Sequence, residues 1–249
     1  MNRLFVFLGL FLSPSIALPY QFSLNGNKNI DFGNSARLAP GAAFSWSGWV
    51  YMSSAPEAND GSIVSKAGTT NDRGWRLQIN NTNPPTLLFG TSALGVTHID
   101  ALGTTAITTG VWTHVAAVYD GSVPSERIYV NGVLDVELTV AVPVSCFNSS
   151  VNHRLGTRGD NSFVTSFYGR IQEEYLWNVA LTAAEVVRLS SPVKRVGLDI
   201  RPQSLSYYHP LDETQTSGTG VIKDYGPNNF KIHGTPTDVT PTNSALAYP

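Results

Sequence analysis

The sequence predicts an all-β fold: a two-sheet antiparallel β-sandwich of jelly-roll type, with one short helix on its C-terminal side. Three observations predict it. Several segments alternate apolar and polar residues with the period of two that strands require. Asn131-Gly132 stands between two such segments, and this dipeptide is the strongest short-range hairpin signal. Thr182 followed by Glu185 forms a capping box ahead of a short helical pattern, which predicts a helix near residues 182–190.

The strand patterns differ in how many faces are apolar. In residues 44–52, Phe44 and Trp46 alternate with Trp49 and Tyr51, so both faces carry aromatic rings. This predicts a central strand that is covered on both sides. Residues 75–79, 111–119, 126–130 and 133–138 give further strands, the last two flanking the Asn-Gly turn.

Composition favours one domain and excludes some partners. A chain of 249 residues is long enough for one large sandwich. Only 14% of the residues are charged, against ~25% in typical soluble domains. The net charge is −2 and no basic run occurs, so nucleic acid is not expected as a partner. The single cysteine, Cys146, cannot form an intrachain disulfide, and we expect it to be a small buried residue.

The N-terminus has the pattern of a secretory signal peptide at residues 1–17. Arg3 precedes an apolar stretch at residues 4–12, and small residues follow at 15–17. The stretch is too short to span a membrane. The alternative is a first core strand or a packing arm in an assembly. We expect one domain over residues 18–236 and a loosely ordered tail at 237–249.

Three motifs follow one another along the chain: YQFSLNGNKNIDFGNS near the start, GVWTHVAAVYDG with RIYVNGVL in the middle, and FYGRIQEEYLWNVALTAAEVVRL at the close. In this order they resemble the laminin-G-like and pentraxin-like domains of the concanavalin-A-like lectin and glucanase superfamily. The resemblance spans Tyr20 to Ser191. A stretch like residues 204–236 stands at the beginning of many such domains, and we expect it here to supply C-terminal strands that pack back on the sandwich.

The resemblance to pentraxins implies a possible calcium site. Pentraxins hold Ca²⁺ with carboxylates and amides of two neighbouring loops, and Asp60, Asp160 and Asn161 occupy the corresponding places here. Hard oxygen ligands suit this ion. Gly61, Arg158 and Gly159 depart from the motif, and aspartate and asparagine are also ordinary turn residues. Ca²⁺ is the only cofactor that the sequence suggests.

The sequence predicts a protein without catalytic residues. Glycoside hydrolysis needs two carboxylates across the scissile bond, and glucanases of the superfamily place theirs on alternate residues of one strand. Glu173 and Glu174 are adjacent and therefore point to opposite faces. Alternation places Glu173 with Ile171 and Tyr175 on a core face, where Arg154, Arg188 or backbone amides would be its partners.

The leading interpretation is a non-catalytic recognition module for a glycan or a protein ligand, secreted or displayed on a surface. Trp75 and Tyr119 are candidate ligand-binding residues, if they are exposed, because sugars stack on aromatic rings. The alternative is a structural or assembly protein, such as a virion surface or decoration component. A glycoside hydrolase ranks third. The sequence does not indicate an oligomeric state.

Overall fold

The computed structural model describes residues 21–24, 26, 28–56, 59–193, 195–211, 221–237 and 240–242. The predicted signal peptide at 1–17 lies outside these residues. The strands are β1 (Gln21–Leu24), β2 (Asn29–Asp31), β3 (Ala43–Met52), β4 (Gly61–Lys66), β5 (Trp75–Ile79), β6 (Leu87–Thr91), β7 (Ile99–Leu102), β8 (Trp112–Asp120), β9 (Ser125–Val130), β10 (Val133–Leu138), β11 (Arg154–Leu155), β12 (Gly169–Trp177), β13 (Leu205–His209), β14 (Thr235–Thr237) and β15 (Thr240–Thr242).

These strands form the predicted two-sheet antiparallel sandwich. The first sheet runs in the order β10-β9-β8-β3-β12-β1-β15, with β13 also pairing with β12. The second runs β14-β2-β11-β4-β5-β6-β7. As predicted, β3 is central and buried on both faces, and the turn between β9 and β10 places Asn131 at φ 50° and Gly132 at φ 79°. Both values lie in the left-handed region that this hairpin turn requires.

The main core lies between the two sheets, where alternate residues of facing strands meet. It contains Trp46, Val50, Leu77, Phe89 and Ile171, all fully buried. Cys146 is buried there too, as expected for a small apolar side chain. Packing of these side chains supplies the apolar burial that holds the two layers together.

A second, smaller core lies on the outer face of the first sheet, under the helix α1 (Ala183–Leu189). The predicted capping box is present: the Thr182 hydroxyl accepts the Glu185 amide, and the Glu185 carboxylate accepts the Thr182 amide. Val186 and Leu189 of the helix pack on Tyr175. No helix in the described part of the chain has the length and apolar character needed to span a membrane.

The C-terminal segment packs on the sandwich. β13 pairs with the second half of β12, and β14 pairs with β2. Part of the tail that was expected to be loosely ordered is a strand, because β15 pairs with β1 at the edge of the first sheet. Backbone hydrogen bonds along that edge stabilise β15. Such bonds need no apolar pattern, so the sequence did not indicate this strand. Residues 243–249 lie outside the described part of the chain.

Candidate functional site

The two loops that the pentraxin resemblance singled out meet in the structure. Ser62 and Ser166 form a parallel bridge, and the Ser62 hydroxyl lies 3.3 Å from the Thr165 hydroxyl. Between the loops is a cavity of about 270 Å³. Its lining comes equally from the two loops: Ser54, Ala55, Pro56 and Asn59 from the first, and Phe163, Val164, Ser166 and Tyr168 from the second.

This loop cavity exposes aromatic rings beside polar groups. Phe163 is 37% exposed and Tyr168 is 43% exposed. Serine hydroxyls and the Asn59 amide lie around them. Exposed rings with adjacent hydrogen-bonding groups are what a sugar needs, because its apolar face can stack while its hydroxyl groups are bonded.

The three predicted calcium ligands do not converge on the loop cavity. Asp60 accepts the backbone amide of Asn81 at 3.1 Å. Asp160 forms a bidentate ion pair with Arg158, at 2.8 and 2.9 Å. The Asn161 side chain accepts the Asn29 amide at 3.2 Å, and its own φ of 63° marks a turn residue.

Asp60 and Asp160 lie near opposite ends of β4. Asp60 directly precedes this strand, whereas Gly159 donates its amide to the carbonyl of Ala67, directly after it. Residues 60 and 67 are roughly 20 Å apart at ~3.3 Å per residue. Among the described residues, no group of three or more His, Cys, Asp or Glu side chains could hold a metal ion. Calcium binding stays a prediction, but the structure does not bring these two carboxylates together.

The two predicted ligand-binding aromatics lie in the main core, which corrects that expectation. Trp75 is 1% exposed, and its ring lies 4.8 Å from that of Phe44. Tyr119 is 0% exposed, and its hydroxyl donates to the carbonyl of Pro143 at 2.8 Å. Both side chains point into the core between the sheets. Alternation along a strand separates its two faces but does not indicate which face the opposite sheet covers.

A second cavity, of about 240 Å³, is lined by arginines, and we call it the arginine cavity. Thr69, Thr70, Arg73, Arg76, His98 and Arg158 contribute to it. Arg76 pairs with Asp100 at 3.0 Å and Arg158 with Asp160. Sequence reasoning missed this site because its basic residues come from separate segments with no common spacing.

Glu173 and Glu174 are both buried on opposite faces of β12, and a bulge in this strand sets which face each one occupies. Gln172 pairs with Trp49 and Tyr175 with Ser47, so the two glutamates stand opposite one residue of β3. Glu173 has a φ of 51°. The bulge reverses the expected alternation, because it puts Glu173 on the outer side with Tyr175 while Ile171 faces the main core.

Each glutamate has its own set of hydrogen-bond donors. Glu174 accepts the Tyr207 hydroxyl at 2.6 Å and the Trp46 indole at 2.9 Å, and His209 Nδ1 lies 3.2 Å away. Burial alone would raise the pKa of Glu174. The neighbouring His153 and His209 outweigh this effect and bring the pKa down to about 2. The carboxylate is therefore an ionised anchor of β13 on β12.

Glu173 accepts the hydroxyls of Tyr175 and Tyr208 at 2.7 and 2.9 Å and the backbone amide of Arg195 at 2.8 Å. A backbone amide was among the predicted partners, but the two tyrosines were not predicted. Because Glu173 and Glu174 are buried on different faces of one sheet, they cannot flank a common glycosidic bond.

Comparisons with known proteins agree with this architecture. The family model Laminin_G_3, described as Concanavalin A-like lectin/glucanases superfamily, matches residues 24–187. A Bacteroides ovatus protein described as carbohydrate binding has a TM-score of 0.68 at 20% identity, covering 93% of this chain and 61% of that one. A heptameric SAP-like pentraxin from Limulus polyphemus has a TM-score of 0.63 at 16% identity, covering 93% and 98%. No curated protein matches the chain.

This chain therefore spans less than two thirds of the Bacteroides ovatus protein. At such identities the likeness of the solved structures establishes a shared fold and does not establish a function.

Proposed function

The chain belongs to the Laminin_G_3 family of the concanavalin A-like lectin and glucanase superfamily, and on that premise we propose that it is a non-catalytic module that recognises glycans outside the cell. The single observation that carries the proposal is the loop cavity, where Phe163 and Tyr168 are exposed beside serine hydroxyls and the Asn59 amide. The similarity to a protein described as carbohydrate binding supports the same reading.

The cavity suits a sugar better than an apolar ligand. Its volume of about 270 Å³ lies just below the ~300–1,000 Å³ of drug-sized pockets, so it fits one or two sugar rings at the end of a longer chain. Both flanking loops are tied to strand ends, through Ser62–Ser166 and through the Ser53 amide, which donates to the Tyr168 carbonyl at 2.8 Å. A preformed site loses little conformational entropy on binding.

The test is a glycan array probed with the purified full chain, followed by calorimetry with the best neutral and acidic glycans. Phe163→Ala and Tyr168→Ala should each weaken binding about tenfold, the loss expected for one aromatic contact of ~1.4 kcal/mol. Phe230→Ala is the matched control, since Phe230 is 76% exposed and does not line the cavity.

A blank array with folded protein would reject glycan recognition. Equal losses for Phe230→Ala and Phe163→Ala would reject the loop cavity as its site.

Export is the second part of the proposal, and residues 1–17 support it. We expect the protein from its natural source to begin near Leu18, as measured by mass spectrometry of the N-terminal peptide. Recovery of a peptide that still contains Arg3 would favour the packing arm of an assembly protein instead.

A further inference from the structure

We infer that the arginine cavity binds the carboxylate or sulfate group of an acidic sugar, with Arg73 as its principal ligand and Arg158 as the second. This inference rests on the proposed glycan recognition and names the class of sugar. The cavity is distinct from the loop cavity: the two have no lining residue in common, although the chain segment 158–168 contributes to both.

Among the residues that the structure describes, one guanidinium of the cavity has no carboxylate partner. Arg76 and Arg158 are paired with Asp100 and Asp160. Within the described residues, no carboxylate oxygen lies within 4.0 Å of the Arg73 guanidinium. The lining therefore contains three guanidinium groups and, among the described lining residues, no carboxylate, and a cleft lined by one sign of charge concentrates ions of the other.

The surroundings make this charge effective. The side chains of Arg76 and Arg158 are only 25% and 28% exposed, so solvent screens them less than it screens surface arginines. Burial, and then the positive charges of Arg76 and Arg73, lower the pKa of His98 to about 3. His98 is therefore neutral at pH 7 and adds no charge of its own.

Packing alone does not account for this cluster. Like charges that share a partly desolvated cavity repel one another, which costs stability that a neutral lining would not. Thr69 and Thr70 add hydroxyl groups at the same cavity. Planar guanidinium groups beside hydroxyl donors match a carboxylate or sulfate, which can accept two parallel N–H bonds from one arginine.

The size of the site favours an acidic sugar over a polyanion. The cavity, of about 240 Å³, has room for one sugar ring with its anionic substituent, and the chain as a whole carries a net charge of −2 without a basic stripe. Nucleic acids need arginines and lysines spread along a groove. One anionic substituent on one sugar ring needs only a local pocket of this kind.

The experiment compares three probes on the full chain by calorimetry: trigalacturonate, 6-sulfated galactotriose and uncharged galactotriose. We expect at least one acidic probe to bind tenfold or more tightly than galactotriose, and its affinity to fall as salt rises. Arg73→Gln should abolish that preference, and Arg73→Lys should retain part of it. Arg188→Gln is the matched control, because Arg188 is an exposed helix residue outside the cavity.

Asp160→Asn gives an independent readout. Removing this carboxylate frees Arg158, so acidic probes should bind several-fold tighter, whereas a lost calcium ligand would only weaken binding. Equal affinity for all three probes, no binding of either acidic probe, or equal effects of Arg73→Gln and Arg188→Gln would overturn the inference. In that case, binding of neutral glycans on the array would still support the proposed glycan recognition. Only an array on which no glycan binds would reject both the proposed function and this inference.

Discussion

Glu173 and Glu174 are neighbours in the chain, yet each anchors a different hydrophobic core. Glu174 is bonded inside the sandwich to Trp46 and Tyr207, while Glu173 is bonded on the outer face to Tyr175 and Tyr208. Tyr207 and Tyr208 are likewise consecutive on β13. The pairing of β12 with β13 therefore joins two adjacent carboxylates to two adjacent tyrosines, one pair on each face of the sheet.

The first prediction is that Glu174 acts in stability and not in catalysis. Glu174→Gln should lower the free energy of unfolding by about 3 kcal/mol, because it removes a buried charge that holds several donors. Urea denaturation measures this. Glu137→Gln is the control, since Glu137 is 44% exposed and its substitution should change stability by less than ~1 kcal/mol.

Hydrolysis of β-glucans and galactans should be undetectable in the wild type. Turnover in the wild type that is lost specifically in Glu173→Gln or Glu174→Gln would contradict this expectation.

The second prediction concerns acid. Burial lowers the pKa of His114 to about 3 and also lowers that of His153. Below pH ~6.5 the unfolded chain takes up protons that these buried rings do not, so stability should fall with falling pH, by up to ~1.4 kcal/mol per pH unit for each. Glu174 adds to the loss below pH ~4.3, because its stabilising effect disappears as pH falls towards its folded pKa of about 2.

Urea denaturation between pH 7.5 and 4 tests this. His114→Gln should reduce the slope by about one proton. A slope that His114→Gln leaves unchanged, with the fold intact, would contradict the assignment.

The third prediction concerns Glu126. Burial raises the pKa of this side chain to about 8, although Thr91 and the backbone amide of Ala101 donate hydrogen bonds to its carboxyl group. From pH ~4.5 to 8 the folded state keeps a proton that the unfolded state has lost, so this group's stabilising contribution falls as pH rises. Relative to the wild type, Glu126→Gln should therefore gain stability between pH 5 and 8 and change little above that. A difference that does not vary with pH would show that Glu126 is already ionised at pH 5.

The fourth prediction concerns calcium, which the pentraxin resemblance suggests. If calcium binds in the ~10⁻⁴–10⁻³ M range of extracellular modules, the melting temperature should rise through that range. Since Asp60 and Asp160 lie at opposite ends of β4, one ion cannot bridge them. Neither Asp60→Asn nor Asp160→Asn alone should then abolish the rise. Complete loss of the rise in either single variant would indicate one shared site, against the placement of these loops.

Local chemistry made the elements of this fold predictable from the sequence. The alternation in β3, the Asn131-Gly132 turn and the Thr182–Glu185 box depend on residues within a few positions of one another, so the sequence states them directly. The laminin-G-like motifs then predicted how these elements are arranged. The resemblance to pentraxins also implied that the loops carrying Asp60 and Asp160 would be neighbours, and the loops do meet at Ser62 and Ser166, although the two carboxylates lie apart.

Only the tertiary structure decided which side chains share a site. A one-residue bulge at Glu173 reverses the facing of the residues around it, and a bulge leaves no period in the sequence. Trp75 and Tyr119 proved to be core residues because burial depends on the opposite sheet. The arginine cavity joins Arg73, Arg76 and Arg158 across 85 residues of chain (158 − 73), and such proximity arises from long-range strand pairing and not from sequence spacing.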